Sequence, residues 1–305
     1  MPLYLTEADV ESLFEPPEAV PIVEDSFRRA AAGDVVNQPR LRLARDGGAL
    51  ALMGAVDAGI GVAGSKTYAH AFVVVLFDAA SGDCICVIEA NRLGQLRTGA
   101  ASGVAAKHLA RPAARRLGVI GCGFQAETQV QCIRAAVPTI DEVVAYCRTE
   151  STLEEFCARV GAERAESHRE SAEDADVVVT ATSSKDPVLR GDWLKAGALV
   201  CAIGANHPSR RELDDAVLER ATFVCCDSIE NAKIESGDLI EPVEHGVLDW
   251  LEVHELQEVL AGEVPGRQSD ADVVVFKSNG LAAWDVAIGA AALERARERG
   301  VGTAV

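Results

Sequence analysis

The chain has 305 residues with 47 acidic and 29 basic side chains, a formal net charge of −18. That balance opposes nucleic acid or an anionic bilayer as partner, because both present phosphate and call for a basic surface. Apolar residues at 49% and charged residues at 25% suffice for one large or two ordinary domains and exclude a disordered chain.

No run reaches the roughly 18 apolar residues that suggest a membrane span. The opening MPLYLTEADVESLF is acidic and lacks the basic-then-apolar order of a secretory leader, so a cytosolic protein is expected. The nine cysteines include no C-x-x-C, and several lie in apolar runs such as CICVI and TFVCC. They read as buried, reduced thiols. The histidines form neither H-x-x-x-H nor H-x-x-E, so no metal site is expected.

In chain order, Thr6 predicts the cap of a short helix over 7–13, and Pro17 opens a longer one that stops at Gly33. Two alternating runs joined by Asp46-Gly47-Gly48 predict a hairpin. GVAGSKTYA predicts a strand, with Lys66 near its middle. AFVVVLFDAASGDCICVIEA predicts a second hairpin turning at Ser81-Gly82-Asp83. Residues 93–110 read as a helix of small residues. From about residue 116, buried strand-like runs (RLGVIG, EVVAYC, DVVVTAT, ALVCAIG, ATFVCC, DVVVF) alternate with helical stretches at 125–136, 151–160 and 211–220. That alternation predicts a doubly wound parallel sheet. The final helix, LAAWDVAIGAAALERARERG, is long enough to leave the sheet and pack back on the first domain. The domains expected are 1–112 with 281–305, and 113–280.

RLGVIG runs into Gly121, Gly123, Phe124, Gln125 and Ala126, which is G-x-G-x-x-A between a buried strand and a helix. In that context the first glycine allows a tight turn and the second lets backbone approach a pyrophosphate. Ala126 packs closely, and the helix N-terminus attracts the phosphates. The next strand, EVVAYC, ends at Cys147 and is followed by Arg148 and Thr149, with no acid before Glu150. An acid there would bind a ribose 2′-hydroxyl, whereas a guanidinium suits a 2′-phosphate. NADP(H) is therefore expected in preference to NAD(H).

Six segments, GSKTY, LRTGAASGVAAKHLAR, GVIGCGFQA, AIGANHPSRRELDD, SIENAKIESGDL and VFKSNGLAAWDVA, together resemble the ornithine cyclodeaminase/mu-crystallin family. They follow the family's order over nearly the whole chain. The resemblance implies an α/β fold: a Rossmann dinucleotide-binding domain plus a discontinuous mixed α/β domain for substrate binding and dimerisation. It also implies hydride transfer between a nicotinamide and C2 of a 2-imino or 2-amino acid, in a homodimer. By the same resemblance Arg40 and Arg97 clamp the substrate carboxylate, although Arg40 could also be a surface strand residue. Thr98 reaches the pyrophosphate. Lys66 is the catalytic lysine, whose small apolar surroundings should lower its pKa and let it protonate an imine.

Two positions depart from the cyclodeaminases. Their glutamate is Ala51 here, with Met53 retained, and their G-A-D is Gly204-Ala205-Asn206. Without those carboxylates the pocket should disfavour ornithine, and Asn206 can orient an imine but not take its proton. The site features resemble those of the ketimine-reductase, mu-crystallin-like members. His70, four residues after Lys66, either lines the pocket or stays at its rim or in the core. His207 is equally open. Ser278, Asn279 and Gly280 are expected near the nicotinamide and substrate, and Asp227 either serves a ligand or caps a helix. NADPH-dependent reduction of cyclic ketimine acids is thus the expected function. Alanine or N-alkyl amino acid dehydrogenation, ornithine cyclodeamination and non-catalytic NADPH-dependent binding are the alternatives.

Overall fold

The computed structural model describes residues 1–45 and 48–305. Two compact units result, Met1–Arg97 with Leu281–Val305, and Thr98–Gly280. The first opens with β1 (Leu3–Leu5), α1 (Glu7–Leu13) and α2 (Ala19–Ala31). It continues with β2 (Val35–Arg45), β3 (Gly48–Asp57), β4 (Val62–Tyr68), β5 (Phe72–Asp78) and β6 (Cys84–Glu89), and then α3 (Asn91–Leu109) begins. Thr6 caps α1 through a reciprocal pair with Asp9. The predicted turn residues Asp46 and Gly47 lie outside the described residues, but β2 and β3 pair antiparallel from Val35↔Asp57 to Arg45↔Gly48.

The second unit runs β7 (Arg116–Ile120), α4 (Ala126–Ala136), β8 (Glu142–Tyr146), α5 (Glu150–Val160), β9 (Glu163–Arg164), α6 (His168–Ala172), β10 (Val177–Thr180) and β11 (Leu199–Ala202). It closes with α7 (Asp215–Arg220), β12 (Phe223–Cys226), α8 (Ile229–Glu235), α9 (Gly237–Glu244), β13 (Val253–Glu255), α10 (Leu256–Ala261) and β14 (Val274–Lys277). The chain then returns to the first unit as α11 (Ala282–Arg299) and β15 (Thr303–Ala304).

Among the described residues the first unit's sheet has the order β15-β1-β6-β5-β4-β3-β2, a meander extended by the two termini. On β3 the inner face carries Ala51, Met53, Ala55 and Asp57, all buried, while Leu50 and Val56 face outward. Helix α11 lies against α2, β3, β4 and β5. Its approach is close: a Cβ on Gly64 of β4 would come within 2.9 Å of Val286.

The second sheet has the order β13-β12-β14-β11-β10-β7-β8-β9, with every pair parallel. The chain moves outward from β7 in one direction and from β10 in the other, so the switch point lies between these neighbours, where ligands of such sheets bind. The chain divides after Arg97, inside α3, whereas the sequence suggested a boundary at 112. The second half of α3 belongs to the parallel-sheet unit because Gly99 packs on α4, where an added Cβ would meet Thr128 within 2.7 Å. The helix expected over 211–220 is helical only from Asp215, because the Glu212 and Leu213 amides donate to Asp238 instead.

Candidate active site

In the first unit, the register between β2 and β3 jumps from Gln38↔Gly54 to Leu41↔Leu52. Pro39 and Arg40 therefore both oppose Met53, forming a β-bulge at the one residue that cannot donate a ladder hydrogen bond. The bulge buries Arg40, which is 6% exposed, while Leu41 beside it is 55% exposed. Met53 in turn pairs with Lys66, and Lys66 with Val74. Arg40, Met53 and Lys66 thus form one row across three strands, about 10 Å from end to end at strand spacing.

Lys66 is 2% exposed. Its Nζ donates to Asp285 Oδ1 at 2.9 Å, and Arg97 Nε lies 3.4 Å from the same oxygen. Helix α3 makes room with Gly94, where a Cβ would come within 2.9 Å of Lys66 Nζ. Phe72 lies under the ammonium at 5.1 Å, and Trp284 is 5.9 Å from the Arg97 guanidinium. Burial pushes the pKa of Lys66 down to about 8. Asp285 opposes this fall, and Arg97 and Arg40 add to it. The cluster holds three cationic side chains and one carboxylate. Asp285 Oδ2 is buried without a hydrogen-bond partner among the described residues.

His70 does not extend this face. Strand β4 ends at Tyr68, and His70 lies in the following bend, exposed, because the alternation that would have aimed it inward stops with the strand. Ala51 lies on the inner face two residues from Met53. The pocket nevertheless does not lack acids altogether, since Asp285 supplies one that the sequence reading missed.

In the second unit, Gly121 follows β7 with φ +99° and donates to the Tyr146 carbonyl at 2.8 Å. An added Cβ would lie 2.5 Å from the Ala181 carbonyl oxygen, so no other residue fits that turn. At Gly123 the same test finds open space, leaving its backbone uncovered toward a ligand. Ala126 is fully buried, Phe124 is exposed and Gln125 Oε1 is a buried acceptor without a partner among the described residues. No side chain caps α4, whose N-terminus follows directly on the glycine turn, the end of a helix that favours an anion. These features fit a dinucleotide pyrophosphate. Thr98 precedes the Gly99 that touches α4. Arg148 and Thr149 follow β8, beside the glycine turn. Arg148 is exposed, and after burial its charge is the second cause lowering the pKa of His168.

The ends of β10, β11 and β14 are tied by a buried network. Glu212 accepts from Thr180 Oγ1 at 3.0 Å, from Thr182 N and Oγ1 at 2.7 and 2.8 Å, and from the Gly204 and Ala205 amides at 2.7 and 3.2 Å. Lys277 pairs with Asp238 at 2.8 Å and donates to the Ala205 carbonyl at 2.6 Å. Burial and the neighbouring Asp238 raise the Glu212 pKa. This network fixes the loop that carries Asn206, which is half-buried. His207 points elsewhere, into an exposed local turn with Ser209. Asp227 grips the next loop: Ser278 Oγ and the Asn279 and Gly280 amides donate to its Oδ2 at 3.0, 2.7 and 2.6 Å. The cap of α8 is Ser228, which settles that alternative for Asp227.

Residues 2–300 match the model of the ornithine cyclodeaminase/mu-crystallin family. The chain belongs to that family. It is 36% identical to an alanine dehydrogenase of Archaeoglobus fulgidus, over 99% of this chain and 98% of that protein. Its fold matches the Thermococcus litoralis Δ1-pyrroline-2-carboxylate reductase in complex with NADH and L-proline, with TM-score 0.94 and 30% identity over 99% and 100% of the two chains. An archaeal alanine dehydrogenase dimer with bound NAD matches with TM-score 0.93 and 34% identity over 100% and 98%. Within the family fold, three structural facts escaped the sequence: Asp285, the Glu212–Asp238–Lys277 network and the grip of Asp227. The first had a signal, an acid inside the apolar stretch AAWDVAIGAA.

Proposed function

We propose that this protein reduces ketimine 2-imino acids, cyclic ones such as Δ1-piperideine-2-carboxylate and Δ1-pyrroline-2-carboxylate above all, to L-amino acids. The observation that carries the reading is the buried cation cluster of the first unit. Arg40 and Arg97 supply two guanidiniums for one carboxylate, and Lys66 supplies an ammonium whose pKa near 8 suits proton donation at neutral pH. Met53 gives the row an apolar floor. Asn206 and Asn279 orient the substrate. When bound, a reduced nicotinamide dinucleotide supplies the hydride that goes to C2. Thr98, the loop Gly121 to Ala126, Ser278 and Gly280 hold it, and Arg148 with Thr149 favours NADPH over NADH.

Proton accounting follows from the residues. Lys66 donates to the imine nitrogen, the carbon–nitrogen double bond becomes single, and the lysine regains its proton from solvent. The alanine dehydrogenase relatives support a second reading, in which the imine forms from a 2-oxo acid and ammonia or an alkylamine. Two copies associate through the outer face of β2 and β3, where Val36, Leu41, Leu43, Leu50 and Val56 are exposed, an apolar patch of the kind that marks an interface. The nine free thiols support a reducing compartment such as the cytosol.

The test is NADPH and NADH oxidation with the two cyclic ketimines, with pyruvate plus ammonia, and with pyruvate plus methylamine. Fastest oxidation of NADPH with a cyclic ketimine is expected. Turnover confined to pyruvate and ammonia moves the assignment to alanine dehydrogenation, and turnover with no imine at all refutes it.

A further inference from the structure

The surroundings of Lys66 single out one residue. The elements touching Lys66 present Met53 from β3, Val74 and Phe72 from β5, and Gly94 from α3, none of them titratable. The charged groups facing it are Arg97 from α3, Arg40 from β2 and Asp285 from α11. Among the described residues Asp285 is the anion that contacts Lys66. It is 1% exposed and sits in a helical stretch whose neighbours Ala282, Ala283, Trp284, Val286 and Ala287 are all buried. A lone carboxylate in such a stretch is costly unless a buried cation needs it. Close packing of Gly64 against Val286 fixes the height of Asp285 above β4.

We propose that Asp285 is the positioning residue of this site, holding the Lys66 ammonium in place and keeping it protonated between substrate turnovers. The inference deepens the imine-reductase reading and rests on it for the role of Lys66. Without Asp285, burial and two guanidiniums would act on Lys66 unopposed and leave a neutral amine, which cannot protonate an imine. The carboxylate acts mainly through its charge, because one oxygen is engaged by Lys66 and Arg97 while Oδ2 has no hydrogen-bond partner among the described residues. Asp285→Asn preserves the shape and an acceptor for Lys66 but removes that charge, so it separates this role from packing.

The experiment is a pH titration of Lys66 in protein labelled with carbon-13 lysine, assigned with Lys66→Arg, alongside pH profiles of kcat/KM for Δ1-piperideine-2-carboxylate reduction. In Asp285→Asn the Lys66 midpoint should fall by about one unit or more, a tenfold loss of proton affinity. The basic limb of kcat/KM should move down by the same amount. Asp285→Glu should return both toward the parent values, with kcat still reduced more than KM is changed. A Lys66 midpoint unchanged in Asp285→Asn overturns the proposal. If that variant does not fold, Asp285→Glu decides: a midpoint lowered by a full unit although the charge is retained overturns it equally. A wild-type protein that reduces no imine, yet shows the lysine shift in Asp285→Asn, refutes the imine-reductase reading and leaves the Lys66–Asp285 pairing standing.

Discussion

The molecule contains two buried charged clusters of opposite character. Around Glu212 the carboxylate takes five hydrogen bonds, and Lys277 joins Asp238 and a carbonyl. Around Lys66 the Asp285 carboxylate puts one oxygen against both Lys66 and Arg97, and its other oxygen has no hydrogen-bond partner among the described residues. The first arrangement serves to hold the ends of β10, β11 and β14. The second is the one the proposed function assigns to an anionic substrate. Buried charge held by many hydrogen bonds builds a scaffold, and buried charge with bonding capacity to spare is a candidate for chemistry.

The contrast makes opposite predictions for stability and rate. Lys66→Met should lower kcat for imine reduction by about 10²- to 10⁴-fold, the range of a positioned general acid. Its thermal midpoint should hold or rise. Because folding lowers the lysine pKa to about 8 from 10.5, the charged form destabilises the fold below pH 8. That penalty fades between pH 8 and 10.5. Thermal melts of wild type and variant at pH 7 and pH 10 should therefore differ most at pH 7. Glu212→Ala should do the reverse, costing about 3–5 kcal/mol of stability as the buried Thr180 and Thr182 hydroxyls and the Thr182, Gly204 and Ala205 amides lose their acceptor. Urea denaturation measures it, and a Glu212→Ala protein as stable as the parent would break the comparison.

Smaller effects sharpen it. Arg97→Met should raise KM for the imino acid by roughly 10²-fold, as for loss of one arm of a desolvated charge clamp. Gly123→Val should weaken dinucleotide binding, read by fluorescence titration, with little change in melting, because its Cβ meets open space. Smallest of all, Arg148→Ala should lower the NADPH-to-NADH ratio of kcat/KM by about tenfold, the scale of one charge-assisted contact.

Much of this was legible in the sequence, for identifiable reasons. Gly121, Gly123 and Ala126 announced themselves because a strand, a glycine turn and a helix followed one another without interruption. Lys66 and Arg97 stood out as charges among small apolar residues. Arg40 could not be told from Arg42 by pattern, since the bulge that buries it is a matter of register with β3. His70 stayed open between pocket and rim because face alternation holds only while a strand lasts, and β4 stops at Tyr68. Asp285 carried the same signal as Lys66. Their pairing depends on how α11 settles on β4, and local sequence does not encode that contact. The Glu212 network is likewise assembled from segments distant in sequence, each unremarkable alone.

The most direct measurement is kcat/KM for NADPH-dependent reduction of Δ1-piperideine-2-carboxylate across pH, with wild type and Lys66→Met compared side by side. Wild type should hold its activity below pH 8 and lose it above, as the ammonium gives up its proton, and the variant should show neither the activity nor the limb. A Lys66→Met protein that turns over at the wild-type rate would contradict the account at its centre.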